Sequence, residues 1–192
     1  GQAVNAGYLY VEIQNSGELL LGNSKITLTG SNIYQQIGDD FFAYFVLQIK
    51  SDDQPFSIDP GSSLIEITAS DATFEVQVNG PLQLYDLLFS NADGAAFMTQ
   101  FYEATISLNT LTFNNSANIW GNLGGKELIL APGKFYQFAG GYLYPFEQIM
   151  AIGNCLANIT LQGNETGEGP TAIFQSNAQN IVLDYVNLKN IT

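Results

Sequence analysis

The side chains able to do chemistry in this sequence are mostly carboxylates. Adjacent acids occur at Asp39-Asp40 and Asp52-Asp53, and a positioned pair of carboxyls is what a glycosidase needs. Neighbouring strand residues point to opposite faces, so neither pair can flank a substrate alone. The simpler reading is solvated turn acids. Asp52, Asp53 and Asp59 fall in two neighbouring loops around Pro55 and Pro60. They are the candidate ligands for calcium, which takes about six to eight oxygens from carboxylates and carbonyls. No EF-hand spacing accompanies them. A polysaccharide lyase needs a strong base beside acidic metal ligands, and the five lysines (Lys25, Lys50, Lys126, Lys134 and Lys189) are scattered. Four Asn-x-Ser/Thr sequons, at Asn114, Asn158, Asn164 and Asn190, are glycosylation candidates if the protein is exported. The aromatic run Phe135-Tyr136-Gln137-Phe138, followed by Tyr142, Tyr144 and Phe146, reads either as a sugar-stacking surface or as core plus subunit interface.

The absences narrow the chemistry further. The 192 residues include no histidine and no arginine, and 18 acids against five lysines give a formal charge of −13. Nucleic-acid binding and attraction to anionic membranes both require a basic footprint, which is missing. Without histidine there is no Ser-His or Cys-His triad. The lone Cys155 builds neither a disulfide nor a cysteine zinc site. The expectation is a chain with no enzymatic activity and no obligatory cofactor beyond a possible calcium ion. No stretch is apolar enough for a membrane span. The chain opens on Gly1 rather than Met, which implies removal of a signal peptide or trimming.

The elements that must position these residues read as strands. Apolar residues alternate with polar ones at Leu9-Val11-Ile13, Ile26-Leu28, Phe74-Val76-Val78, Ile106-Leu108 and Ile181-Leu183-Tyr185, the period-two pattern of a sheet with one buried face. Turn signals such as Gly22-Asn23-Ser24, Asp59-Pro60-Gly61 and Ala131-Pro132-Gly133 separate the runs. Short helical turns are expected at most within 33–49, 82–88 and 95–103. Segments like Ile-x-Leu recur at Ile65, Leu82, Ile106, Leu128, Ile159 and Ile181. Several of these intervals suit one coil of a parallel β-solenoid, although the intervals are uneven and 134–152 interrupts the series. The fold expected first is an antiparallel β-sandwich or jelly roll, with the parallel solenoid as the alternative. The chain is expected to form one β-rich domain over 8–192, preceded by an extended segment over 1–7.

That first segment is small, uncharged and free of proline. An extended strand of this kind can add to a neighbouring subunit's sheet, and a head-to-tail contact that does not close generates filaments. The succession of Gln2-Ala3-Val4, a tyrosine-rich strand, Lys25-Ile26-Thr27-Leu28-Thr29, the stretch 33–50, the paired strands 64–78 and Leu84-Tyr85 resembles the secreted β-sandwich subunits of archaeal extracellular filaments. These are the cannula proteins and, more distantly, the bundling-pilus and biofilm-fibre proteins. The likeness covers the first half of the chain. It implies a jelly roll that self-assembles by donor-strand complementation, with Gln2, Ala3, Val4, Asn5 and Ala6 as the donor strand. From the cannula proteins it also implies calcium at subunit contacts. The function expected first is therefore a secreted structural subunit of a pilus-like homopolymer at the cell surface. The alternatives are a β-solenoid carbohydrate-binding adhesin or phage-spike fragment, and a viral capsid or decoration subunit.

Overall fold

The alternating runs become strands that wind into a parallel β-solenoid. The computed structural model describes residues 2–13, 18–30, 33–37, 41–51, 57–70, 73–78, 80–91, 96–101, 105–164, 172, 174 and 180–191. One long sheet stacks β1 (Ala3–Ala6), β4 (Lys25–Leu28), β8 (Leu64–Ile67), β10 (Pro81–Phe89), β12 (Thr105–Phe113), β14 (Asn122–Leu130), β16 (Phe146–Ile152) and β18 (Asn180–Asp184) in that order. The second stacks β2 (Leu9–Ile13), β6 (Phe41–Ser51), β9 (Thr73–Gln77), β11 (Ala96–Phe101), β13 (Ala117–Ile119), β15 (Phe135–Ala139), β17 (Ile159–Asn164) and β19 (Val186–Lys189). A third, short sheet pairs β3 (Glu18–Leu20) with β7 (Ser57–Asp59). The chain visits the sheets in turn and then climbs one strand, which makes eight coils among the described residues.

The third face continues beyond β7. Along β10 the buried residues are Leu82 and Leu84, then Leu87 and Phe89, with Tyr85 and Asp86 both half-buried between them. The alternation therefore slips by one residue, as it must where a strand turns a corner. β12 repeats the slip at Asn109-Thr110, where the Asn109 amide donates to Asp86 Oδ1 of the coil before at 2.8 Å. The first halves of β10, β12 and β14 thus form a third side, beside β7 at one end and Leu143–Phe146 at the other.

Stacking places like residue on like. Val4, Ile26, Ile65, Leu87, Leu111, Leu128, Ile149 and Ile181 are successive register partners and form one inward column. Each inner member is covered above and below, so apolar area leaves water along the whole column at roughly 25 cal/mol per Å². The turns stack as well. Gly61 lies against Gly22 with φ of +51° and +60°, the left-handed region that glycine enters without steric cost.

The antiparallel β-sandwich or jelly roll, and with it the jelly roll implied by the filament resemblance, is corrected by this pairing. Every strand-to-strand pairing among the described residues is parallel except that of β5 (Ile33–Ile37) with β6. Alternation and turn residues locate strands but carry no information on the direction of their neighbours. The helical turns are corrected too: no helix occurs among the described residues, and 82–88 and 96–101 are strands. These segments are long enough for a turn of helix, but each instead pairs in parallel with the strands of the coils on either side. The segment 134–152 does not break the ladder; it supplies β15 and β16.

Candidate functional site

On the third face the stacked surface is indented. The cleft, of about 400 Å³, is lined by Thr105, Ser107, Gly124, Gly125, Lys126, Pro145 and Glu147, over the buried Ile106 and Leu108. Register explains it. Thr105 and Ser107 point outward from β12 and pair with Asn122 and Gly124 of β14. At Gly124 the outward column loses its side chain. A Cβ there would stand 2.4 Å from the Pro145 carbonyl oxygen and 2.6 Å from its Cγ, so the next coil closes in over the glycine. Gly125 is equally constrained, since its Cβ would fall 2.0 Å from the Leu108 carbonyl oxygen. The result is a groove with a glycine floor between the hydroxyl pair of one coil and the proline of the coil two further on.

The chemistry of the walls is mixed. Lys126 and Glu147 are exposed, and their flanking residues pair as Gly125 with Phe146 and Glu127 with Gln148, which sets the two side by side. Neither forms an ion pair or side-chain hydrogen bond with a described residue. The groove therefore offers two hydroxyls, an ammonium, a carboxylate and a proline ring, with no net charge. Trp120, 39% exposed, stands at the corner two residues before Asn122, the register partner of Thr105.

A second polar constellation lies on the outer side of the second sheet. Glu75 is wholly buried, and its two carboxylate oxygens accept from the side-chain amides of Gln77 at 2.7 Å and of Gln48. Gln48 is the register partner of Glu75 and also of Tyr10, whose hydroxyl donates to Glu12 at 2.9 Å. A carboxylate sealed in this way binds the coils together and has no route to a substrate. On the first sheet, Lys25 pairs with Glu66 at 2.7 Å. That hydrogen bond, followed by one from Ser90, holds the Glu66 carboxyl below the usual range.

The residues singled out from sequence are dispersed. Asp39, Asp40, Asp52 and Asp53 lie outside the described residues. Asp59 is exposed, and its Oδ1 accepts from the Gly61 backbone N–H at 3.0 Å, capping the turn. No group of three or more potential metal-binding side chains occurs among the described residues. Asn114, Asn158 and Asn190 are exposed at strand ends, while Asn164 ends β17 and its side chain is outside the description. The donor-strand candidate, Gln2 to Ala6, lies along its own chain: Ala3–Ala6 is β1, paired in parallel with β4, and the Lys25 N–H donates to the Gln2 carbonyl at 3.1 Å. Of the aromatic run, Tyr136, Phe138, Tyr144 and Phe146 are core residues.

The cleft residues were not singled out in the sequence. The signal was there in Gly124-Gly125, since glycine inside a strand marks the close approach of another backbone. No protein-family model, no curated protein and no solved structure matches this chain.

Proposed function

We propose that this chain is a β-solenoid carbohydrate-binding module, of the kind that serves in a surface adhesin or a phage spike, and that the third-face cleft holds the glycan. The cleft carries this reading. Hydroxyls, a lysine and a glutamate converge on a floor held by stacked strands, and rigid elements position binding groups better than loops do. A groove one coil wide suits a single pyranose chain. Thr105 and Ser107 donate to and accept from sugar hydroxyls, Glu147 accepts from a vicinal pair, Lys126 donates, and the Pro145 ring packs on C–H faces. The opposed charges favour an uncharged polysaccharide. Binding fits the cleft better than hydrolysis does, because a glycosidase needs two carboxyls about 5–10 Å apart and Glu147 is the one carboxylate in the lining. The module then works outside the cell.

The test is a screen of soluble neutral and acidic polysaccharides, with calorimetry on any hit. Ser107→Tyr, which fills the groove from an exposed position, is expected to abolish binding, and Glu147→Gln to weaken it at least tenfold. Retention of full affinity in Ser107→Tyr, or the absence of any polysaccharide ligand, overturns the proposal.

A further inference from the structure

The third-face cleft carries its charges on one side only. Where Pro145 closes over Gly124, Lys126 and Glu147 follow along their strands, while Asn122 and Leu143 precede. Asn122 is the register partner of Thr105, and its Oδ1 accepts from the Leu143 N–H at 3.3 Å. Leu143 is 43% exposed. Two residues before Asn122 stands Trp120, the single tryptophan of the chain, exposed between the buried Ile119 and Gly121. Its coil, that of β13 and β14, has coils on either side, so this exposure is not that of an end. The next coil turns at Gly140-Gly141, with φ of +84° at Gly141, and glycines bring no side chain to lie over an indole. Large apolar side chains left in water beside a polar groove mark a ligand surface.

We propose that Trp120 is a stacking platform that extends the glycan site past the cleft, and that the site takes a neutral β-linked glycan of gluco configuration. This rests on the glycan-binding reading of the cleft and adds the class of sugar. In such a chain the hydroxyls and linkages are equatorial, so each ring has flat C–H faces and a rim of hydroxyls. The surface has the same division. The indole, Leu143 and Pro145 offer apolar area to the ring faces, and an indole supplies the most of it. Thr105, Ser107 and Glu147 offer hydrogen bonds to the rim. An axial hydroxyl or an α-linkage breaks the flat face and loses the first set of contacts. Four residues of extended chain, at most about 14 Å, separate Trp120 from Gly124. A single ring on the glycine floor therefore leaves the indole uncovered, and a longer oligosaccharide covers it.

With one tryptophan in the chain, selectively excited tryptophan emission of the intact protein reports on Trp120 alone. Cellohexaose is expected to shift that emission to shorter wavelength and to cut its quenching by acrylamide at least twofold, and dextran, an α-linked glucan, to change neither. Calorimetry runs alongside. Trp120→Ala is expected to weaken cellohexaose binding at least tenfold and Trp120→Phe to recover part of the loss. If Trp120→Ala loses strand signal in circular dichroism, the quenching of the wild-type chain decides. Cellohexaose that binds by calorimetry without altering Trp120 emission or quenching, or that binds Trp120→Ala with full affinity, overturns the platform and leaves the cleft reading standing. Binding of dextran but not of cellohexaose overturns the sugar class alone. Protection of Trp120 that persists in Ser107→Tyr overturns its continuity with the cleft. No binding by any polysaccharide overturns both readings together.

Discussion

Phe89 and Phe113 stack inside the solenoid with ring centroids 4.8 Å apart and planes 18° from parallel. They do so because they are register partners on adjacent strands of one sheet, both fully buried. The pair sits in the middle of a column, with Ile67 before it and Leu130 after it. Phe113→Ala opens a cavity that the coils on either side, fixed by their own hydrogen bonds, cannot collapse to fill. The expected loss is about 3–5 kcal/mol in denaturant unfolding. Phe113→Leu keeps most of the column filled and costs less.

Gly22 and Gly61 separate two effects that usually come together. Both have left-handed backbones, but a Cβ on Gly22 meets nothing within 4 Å, whereas one on Gly61 would stand 2.1 Å from the Gly22 carbonyl oxygen. Gly22→Ala is expected to cost about 1–2 kcal/mol, the penalty for an L-residue in that conformation. Gly61→Ala adds a backbone clash and is expected to cost more than twice as much. A shared urea titration of the two variants measures the difference.

The strands of this fold were largely legible in the sequence, but their partners were not. The alternation at Leu9, Ile26, Phe74, Ile106 and Ile181 falls in β2, β4, β9, β12 and β18. The repeat was visible yet blurred. Register partners on the first sheet run from Ala3 through Lys25, Leu64, Asp86, Thr110, Glu127 and Gln148 to Asn180, and these steps are unequal because loops of different length leave the coil between strands. Two of the recurring segments, Ile159-Thr160-Leu161 and Ile181-Val182-Leu183, fall on different sheets, β17 and β18. Their likeness reflects a shared need for inward apolar residues. The cleft was harder to read, since its residues come from three coils and meet only once the register is known.

Alkali is expected to weaken the fold through two tyrosines. Burial pushes the Tyr136 and Tyr144 phenols well above their ordinary value. In the unfolded chain they ionise near pH 10, at about the model-peptide value. The folded state keeps their protons where the unfolded state releases them, so this stability is complete below about pH 10 and falls as pH rises beyond it. The slope is about 1.4 kcal/mol per pH unit for each tyrosine. Tyr136→Phe should lower the alkaline slope of the urea midpoint by one tyrosine's share. It should also cost some stability at neutral pH, because the Tyr136 hydroxyl donates to the Phe113 carbonyl at 3.1 Å and accepts from the Ala131 N–H at 2.9 Å.

Glu75 is expected to matter for stability more than any exposed acid. Glu75→Ala removes the acceptor of the Gln48 and Gln77 amides at a position that is wholly buried. Losing the acceptor of a buried donor costs about 1–3 kcal/mol. Glu75→Gln preserves the shape and one acceptor and should fall between the wild type and the alanine variant in thermal unfolding.

Because each strand of the two long sheets pairs, among the described residues, with the strands of the coils directly above and below it, the molecule behaves under load like a stack of rungs. Tension applied between the two ends pulls the rows of parallel hydrogen bonds apart one coil at a time, each coil that lets go releasing a length of chain before the next bears the force. Coil length sets that release, so the unequal steps along the first sheet would be read out as unequal extensions in a single-molecule trace, with the long step between Lys25 and Leu64 giving the largest.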